Sequence, residues 1–107
     1  MTKSKPGMAH QTEAEITRAI RGALKILGIF HWKQWQGPMS QPKGVSDIIG
    51  IFNGKPLAIE IKTARGKLSE YQQAFAESWK REGGIFIEAR SVDDVIDGLG
   101  IRDRLLF

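Results

Sequence analysis

An Asn53-Gly54 pair stands between two apolar runs, Asp47 to Phe52 and Pro56 to Lys62, and no other part of this chain has so little freedom. Asn-Gly favours positive φ at both central positions of a two-residue turn, so the flanking runs are predicted to form an antiparallel hairpin. Alternation along the second run sends Leu57, Ile59 and Ile61 to one face and Ala58, Glu60 and Lys62 to the other. The short turn returns Asp47, at the start of the first run, to the neighbourhood of Glu60.

Upstream, Thr12-Glu13-Ala14-Glu15 has the form of a capping box. Ile16, Ile20, Ala23, Leu24 and Leu27 follow at helical spacing, with Arg18, Arg21 and Lys25 off that stripe and Gly28 as the predicted stop. The aromatic stretch from Ile29 to Gln36, with Phe30, Trp32 and Trp35, is compatible with a strand. Positions 37–44 hold two glycines and two prolines and are predicted to be a loop.

Downstream, Ser69 is the predicted cap of a helix running to about Glu82, with Tyr71, Phe75, Ser78 and Trp79 on the face that packs against the sheet. Gly83-Gly84 ends it, Ile85 to Ala89 reads as a strand, and Ser91 opens a short helix through Val95, Ile96 and Leu99. The order αβββαβα implies an α/β domain with a mixed sheet of about four strands. The second helix is a crossover that sets the fourth strand parallel to the third. A chain of 107 residues suffices for one such core, expected over residues 12–107, with residues 1–11 as a flexible basic tail.

The absence of cysteine excludes disulfides and thiolate metal sites, and neither His10 nor His31 has a metal-ligand pattern around it. A net charge of +4 favours a polyanionic partner such as nucleic acid. Apolar runs are far shorter than the roughly 20 residues of a membrane span, and no signal peptide is evident, so a cytoplasmic protein is expected.

Glu60 and Lys62 alone could be a surface ion pair, worth under about 1 kcal/mol if exposed. Asp47 changes that reading, because two carboxylates brought together repel unless something positive lies between them. Hard oxygen ligands point to Mg²⁺ or Mn²⁺ as that cation. A simpler role for Asp47 is a cap at the loop-to-strand junction.

Gly44-Val45-Ser46-Asp47, followed after about a dozen residues by Ile59-Glu60-Ile61-Lys62, resembles the PD-(D/E)XK nuclease motif, with Ser46 where the motif has proline. More narrowly, the chain is similar to the VRR-NUC family in its stand-alone phage and bacterial form. Glu13-Ala14-Glu15-Ile16-Thr17-Arg18-Ala19-Ile20, Tyr71-Gln72-Gln73-Ala74-Phe75 and Ser91-Val92-Asp93-Asp94-Val95 resemble further family patterns, Thr17 standing where glutamine is usual.

The resemblance implies a metal-dependent endonuclease acting on DNA, in a bacterial or phage-infected cell. Asp47, Glu60 and the Ile61 carbonyl would hold the metal, Glu13 would reach it directly or through water, Lys62 would orient the attacking water, and Gln72 would hydrogen-bond nearby. Glu13 lies closer than Glu15 to the apolar stripe, which favours Glu13 for the site and Glu15 for the cap; a first-turn acid complementing the helix dipole is the plainer role for Glu13. Lys43, Arg65 and Lys67 flank the site in sequence and suit phosphate contacts, or a solvated loop. Trp32 and Trp35 are expected as core or dimer contacts, with stacking or wedging at a DNA junction as the alternative. The stand-alone relatives suggest branched DNA, four-way junctions first, cut by a homodimer. The rivals are a flap or nonspecific nicking nuclease, and an inactive DNA-binding module.

Overall fold

In the computed structural model, which describes residues 11–38 and 43–105, Thr12 caps helix α1 (Glu13–Ile26) through a complete capping box. The Thr12 hydroxyl accepts from the Glu15 amide at 3.1 Å and the Glu15 carboxylate accepts from the Thr12 amide at 2.9 Å. Ile16, Ile20 and Leu24 form its buried stripe, each contributing about 1.5–3 kcal/mol on burial. Gly28 lies just beyond the C-cap with φ 73°, the left-handed value a helix stop requires.

The hairpin forms as predicted from β2 (Ile48–Phe52) and β3 (Lys55–Ile61). Asn53 and Gly54 have φ of 51° and 77°. Pairing runs from Phe52 opposite Lys55 to Ile48 opposite Ile59, a register that next sets Asp47 opposite Glu60. Strand β1 (His31–Lys33) pairs antiparallel with β2, and β4 (Ile85–Ala89) pairs parallel with β3, giving a four-stranded mixed sheet in the order β1-β2-β3-β4. Helix α2 (Glu70–Arg81) makes the crossover to β4, and α3 (Val92–Leu99) and a 3-10 turn (Arg102–Leu105) follow.

The two faces of the sheet differ. Leu57, Ile59 and Ile61 pack with Ile16, Ile20 and Leu24 of α1 and Val95 and Leu99 of α3 into the main core. On the other face, α2 lies near β4 and leaves the outer part of the sheet uncovered.

Two expectations are corrected. The strand expected over 29–36 is three residues long, because beyond the Gln34 amide, which donates to the Asp47 carbonyl at 2.8 Å, the chain turns away into the loop. The sheet-facing stripe of α2 centres on Ala76, with Phe75 and Trp79 half-buried and stacked at 5.0 Å. Tyr71, 59% exposed, and Ser78 lie off it. The small Ala76 side chain lets the helix approach the sheet, and that rotation turns Gln72 inward.

Trp32 and Trp35 are 43% and 61% exposed, so neither is a core residue. Trp32 packs edge-on against Phe30 at 5.8 Å on the uncovered part of the sheet. Among the described residues no helix is long and apolar enough to cross a membrane. The expected basic tail, apart from Gln11, and the terminal Leu106 and Phe107 lie outside the described residues.

Candidate active site

Strand alternation points Glu60 away from the main core toward α2, and the hairpin register brings Asp47 beside it. Asp47 is fixed by its own strand neighbour: its Oδ2 accepts the Ile61 amide at 2.7 Å. The preceding loop is held close to α2. Gly44 has φ 83°, and a Cβ there would sit 2.3 Å from the Tyr71 carbonyl oxygen, so only glycine allows the loop to pass. Ser46, just before Asp47, is fully buried with no partner for its hydroxyl.

Glu60 is 3% exposed. Its Oε2 accepts from Gln72 Nε2 at 3.0 Å and lies 3.6 Å from Lys62 Nζ. Its Oε1 is buried without a partner. Burial first, and then the facing charge and hydrogen bond of Asp47, push the Glu60 carboxyl up to about 8 from an ordinary 4.5, against the opposing pull of Lys62. A buried, unsatisfied carboxylate oxygen beside a second carboxylate is costly to keep charged; a retained proton, which the raised value reflects, or a bound cation offsets that cost. The donor set, two carboxylate groups with no sulfur, fits a hard divalent ion.

Gln72 has a second function in the same place. Its amide donates to the Ser69 hydroxyl at 3.1 Å and its Oε1 accepts from the Ser69 amide at 2.9 Å, completing a capping box at the start of α2. One side chain therefore both starts the helix and anchors Glu60.

The structure brings together Asp47, Glu60, Lys62 and Gln72, with Ile61 bonded to Asp47 through its amide. Glu13 is not among them: it is exposed on the first turn of α1, and among the described residues no three His, Asp or Glu side chains gather as a metal group. The reason is topological, since α1 packs on the Leu57, Ile59 and Ile61 face and Glu60 points from the opposite one. Glu15 closes the capping box as expected.

Lys43 is exposed, with Nζ 5.1 Å from the centre of the Tyr71 ring. Arg65 and Lys67 are exposed on the loop after β3. That loop is tied down by Arg90, which sequence reasoning did not single out. Its guanidinium donates to the Gly66 carbonyl and pairs with Glu88 at 2.8 Å, and Glu88 stands beside Glu60 in the parallel register. The polar Glu88 and Arg90 at alternate positions of a mostly apolar segment were a visible signal, but the parallel register that gives it meaning is not. No family model matches the chain, and no curated protein matches it.

Proposed function

We propose that this chain is a divalent-metal-dependent endonuclease of the PD-(D/E)XK type, VRR-NUC branch, that hydrolyses DNA phosphodiester bonds. The observation that carries the proposal is the pairing of Asp47 with a buried Glu60 whose Oε1 has no partner, beside Lys62. Asp47, Glu60 and the Ile61 carbonyl would hold Mg²⁺ or Mn²⁺. Such an ion, when bound, supplies Lewis acidity at the phosphate and acidifies a water molecule.

Asp47 is held by a backbone amide and Glu60 by Gln72, so neither needs to reorganise to present its oxygens. Lys62 carries its ammonium group to the same spot, where it orients the attacking water and offsets charge on the phosphoryl oxygens. The water oxygen forms the new P–O bond as the sugar oxygen departs with its bonding electrons; the proton that the water gives up passes to solvent, and the departing oxygen takes one from solvent. Lys43, Arg65 and Lys67 contact phosphates and position the strand without reading bases.

On this reading the domain takes its specificity from DNA shape, its site being flanked by phosphate-contacting cations that read no bases. The family resemblance favours branched DNA cut by a two-fold homodimer. The test is incubation with labelled four-way junction, flap, linear duplex and single strand, with Mg²⁺ or Mn²⁺ and then EDTA. Metal-dependent cutting with junction preference supports the whole reading. Flap preference, or equal cutting of all DNAs, removes the junction assignment, and no cutting with either metal removes the nuclease.

A further inference from the structure

We propose that the groove between helix α1 and strand β1 is a second phosphate-binding surface, one that holds the DNA running past the cleavage site; its substrate rests on the nuclease reading above. The groove has a volume of about 420 Å³, and its charged lining residues are Arg18, Arg21, Lys25 and Lys33, with no carboxylate among the lining side chains. None of the four pairs with a described carboxylate; the ion pairs among the described residues use Lys62, Arg81, Arg90 and Arg102.

Several features of the groove are costs to the folded chain that an anion would offset. Arg21 and Lys25 are four residues apart on one helix face, a spacing at which like charges repel. Arg18 to Lys25 spans about 10 Å at about 1.5 Å per residue, long enough to meet more than one phosphate of a strand. Gly22, in the middle of α1, is exposed, and a Cβ added there would meet nothing within 4 Å. Packing therefore gives no reason for a residue that weakens a helix interior. An open floor beneath four cations does give one, because a phosphate backbone can approach there closely.

Arg21 is also held in place. Its Nε donates to His31 Nε2 at 3.4 Å, and His31 Nδ1 donates to the Ile29 carbonyl at 2.9 Å, fixing the ring. The groove lies on the face of the sheet that α1 covers, since Lys33 pairs with the buried Ile48, and it reaches the β1 edge one residue from the Gln34 amide that donates to the Asp47 carbonyl at 2.8 Å; the candidate site is on the other face, around that edge. Four cations set along about 10 Å of groove suit the regularly repeated phosphates of a nucleic acid better than the scattered carboxylates of an acidic peptide. The lining holds no large apolar side chain, which disfavours a membrane surface.

The test is binding of a labelled linear duplex in EDTA, followed by anisotropy across a salt titration. The proteins are wild type, the triple variant Arg18→Gln/Lys25→Gln/Lys33→Gln, single Lys33→Gln, and Gly22→Gln, with circular dichroism to confirm each fold. The slope of log affinity against log salt is expected to fall by about 2.7 in the triple variant and by about 0.9 in Lys33→Gln. Gly22→Gln, which removes no charge, should weaken binding with the slope retained. Wild-type slope and affinity in all three variants overturn the groove and leave the nuclease standing if the wild type still cuts DNA. Wild type that cuts nothing but loses affinity in the triple variant overturns the nuclease and keeps the groove. Binding to anionic vesicles without binding to DNA overturns the groove assignment.

Discussion

Glu60→Gln offers the sharpest test of the carboxylate pair, because the amide keeps the shape of a protonated Glu60 and cannot ionise. In the metal-free chain the Glu60 carboxyl is raised from 4.5 to about 8. Between those values the unfolded chain has released a proton that the folded chain retains, so stability falls as pH rises. The raised value favours the fold fully below about pH 4.5, and the difference from the unfolded chain is complete above about pH 8. At about 1.4 kcal/mol for each pH unit the loss is on the order of 5 kcal/mol, a large share of the roughly 5–15 kcal/mol that holds a small domain together. Urea denaturation in EDTA from pH 5 to 8.5 should therefore show wild type losing stability relative to Glu60→Gln, the titrating groups remote from the Asp47, Glu60 and Lys62 cluster being shared and cancelling in the difference. Saturating Mg²⁺ should restore wild type at the alkaline end, do little at the acid end, and leave Glu60→Gln nearly unchanged. Parallel stability profiles, or equal Mg²⁺ stabilisation of both proteins, would refute the reasoning.

Asp47→Asn and Glu60→Gln should each abolish cleavage while leaving the circular dichroism spectrum intact; cutting at the wild-type rate in saturating Mg²⁺ would remove the metal site. Lys62→Ala should lower turnover far more than DNA affinity, and single-turnover kinetics with a parallel binding measurement separate the two. Thr12→Ala should cost about 1 kcal/mol of stability by urea denaturation without changing cleavage, since it removes only the α1 cap. The protein should sediment as a homodimer and make paired, symmetry-related nicks in a four-way junction; a monomer cutting linear duplex as readily would remove the junction assignment. The apolar, half-uncovered sheet side around Phe30, Trp32 and Ile51 is the surface to examine if the dimer is found.

The hairpin was legible because its information is local. Asn53-Gly54 defines the turn and alternation defines the faces, and together they set Asp47 opposite Glu60. The caps at Thr12 and Ser69 were legible for the same reason. Glu13 stands exposed outside the described cluster, and helix periodicity could not foretell this, because it says which side of α1 faces the sheet but not which face of the sheet α1 covers. The rotation of α2 onto Ala76 escaped a search for large apolar residues, since the small residue governs the approach. Arg90 and Glu88 acquire meaning only through the parallel pairing of β3 with β4, a long-range register that no nearby residue encodes. The cations of α1 were visible as lying off its apolar stripe, but their meeting with Lys33 required the edge strand to be in place.

Gln72 joins two things that are usually separate, the start of a helix and the orientation of a buried carboxylate. The first turn of α2 is consequently a gauge of the site: when it frays, Glu60 loses its anchor, and when Glu60 gains a stronger partner, the turn should fray less. Hydrogen exchange at the Gln72 amide, whose proton is held by Ser69, would slow on metal binding although that amide touches no ligand. Gln72→Glu, which can retain the cap but replaces the donor facing Glu60 with a carboxyl group, would break that link while preserving the helix. Residues that do one job can be exchanged one at a time; here the folding signal and the reactive geometry share a side chain, and neither can drift without the other.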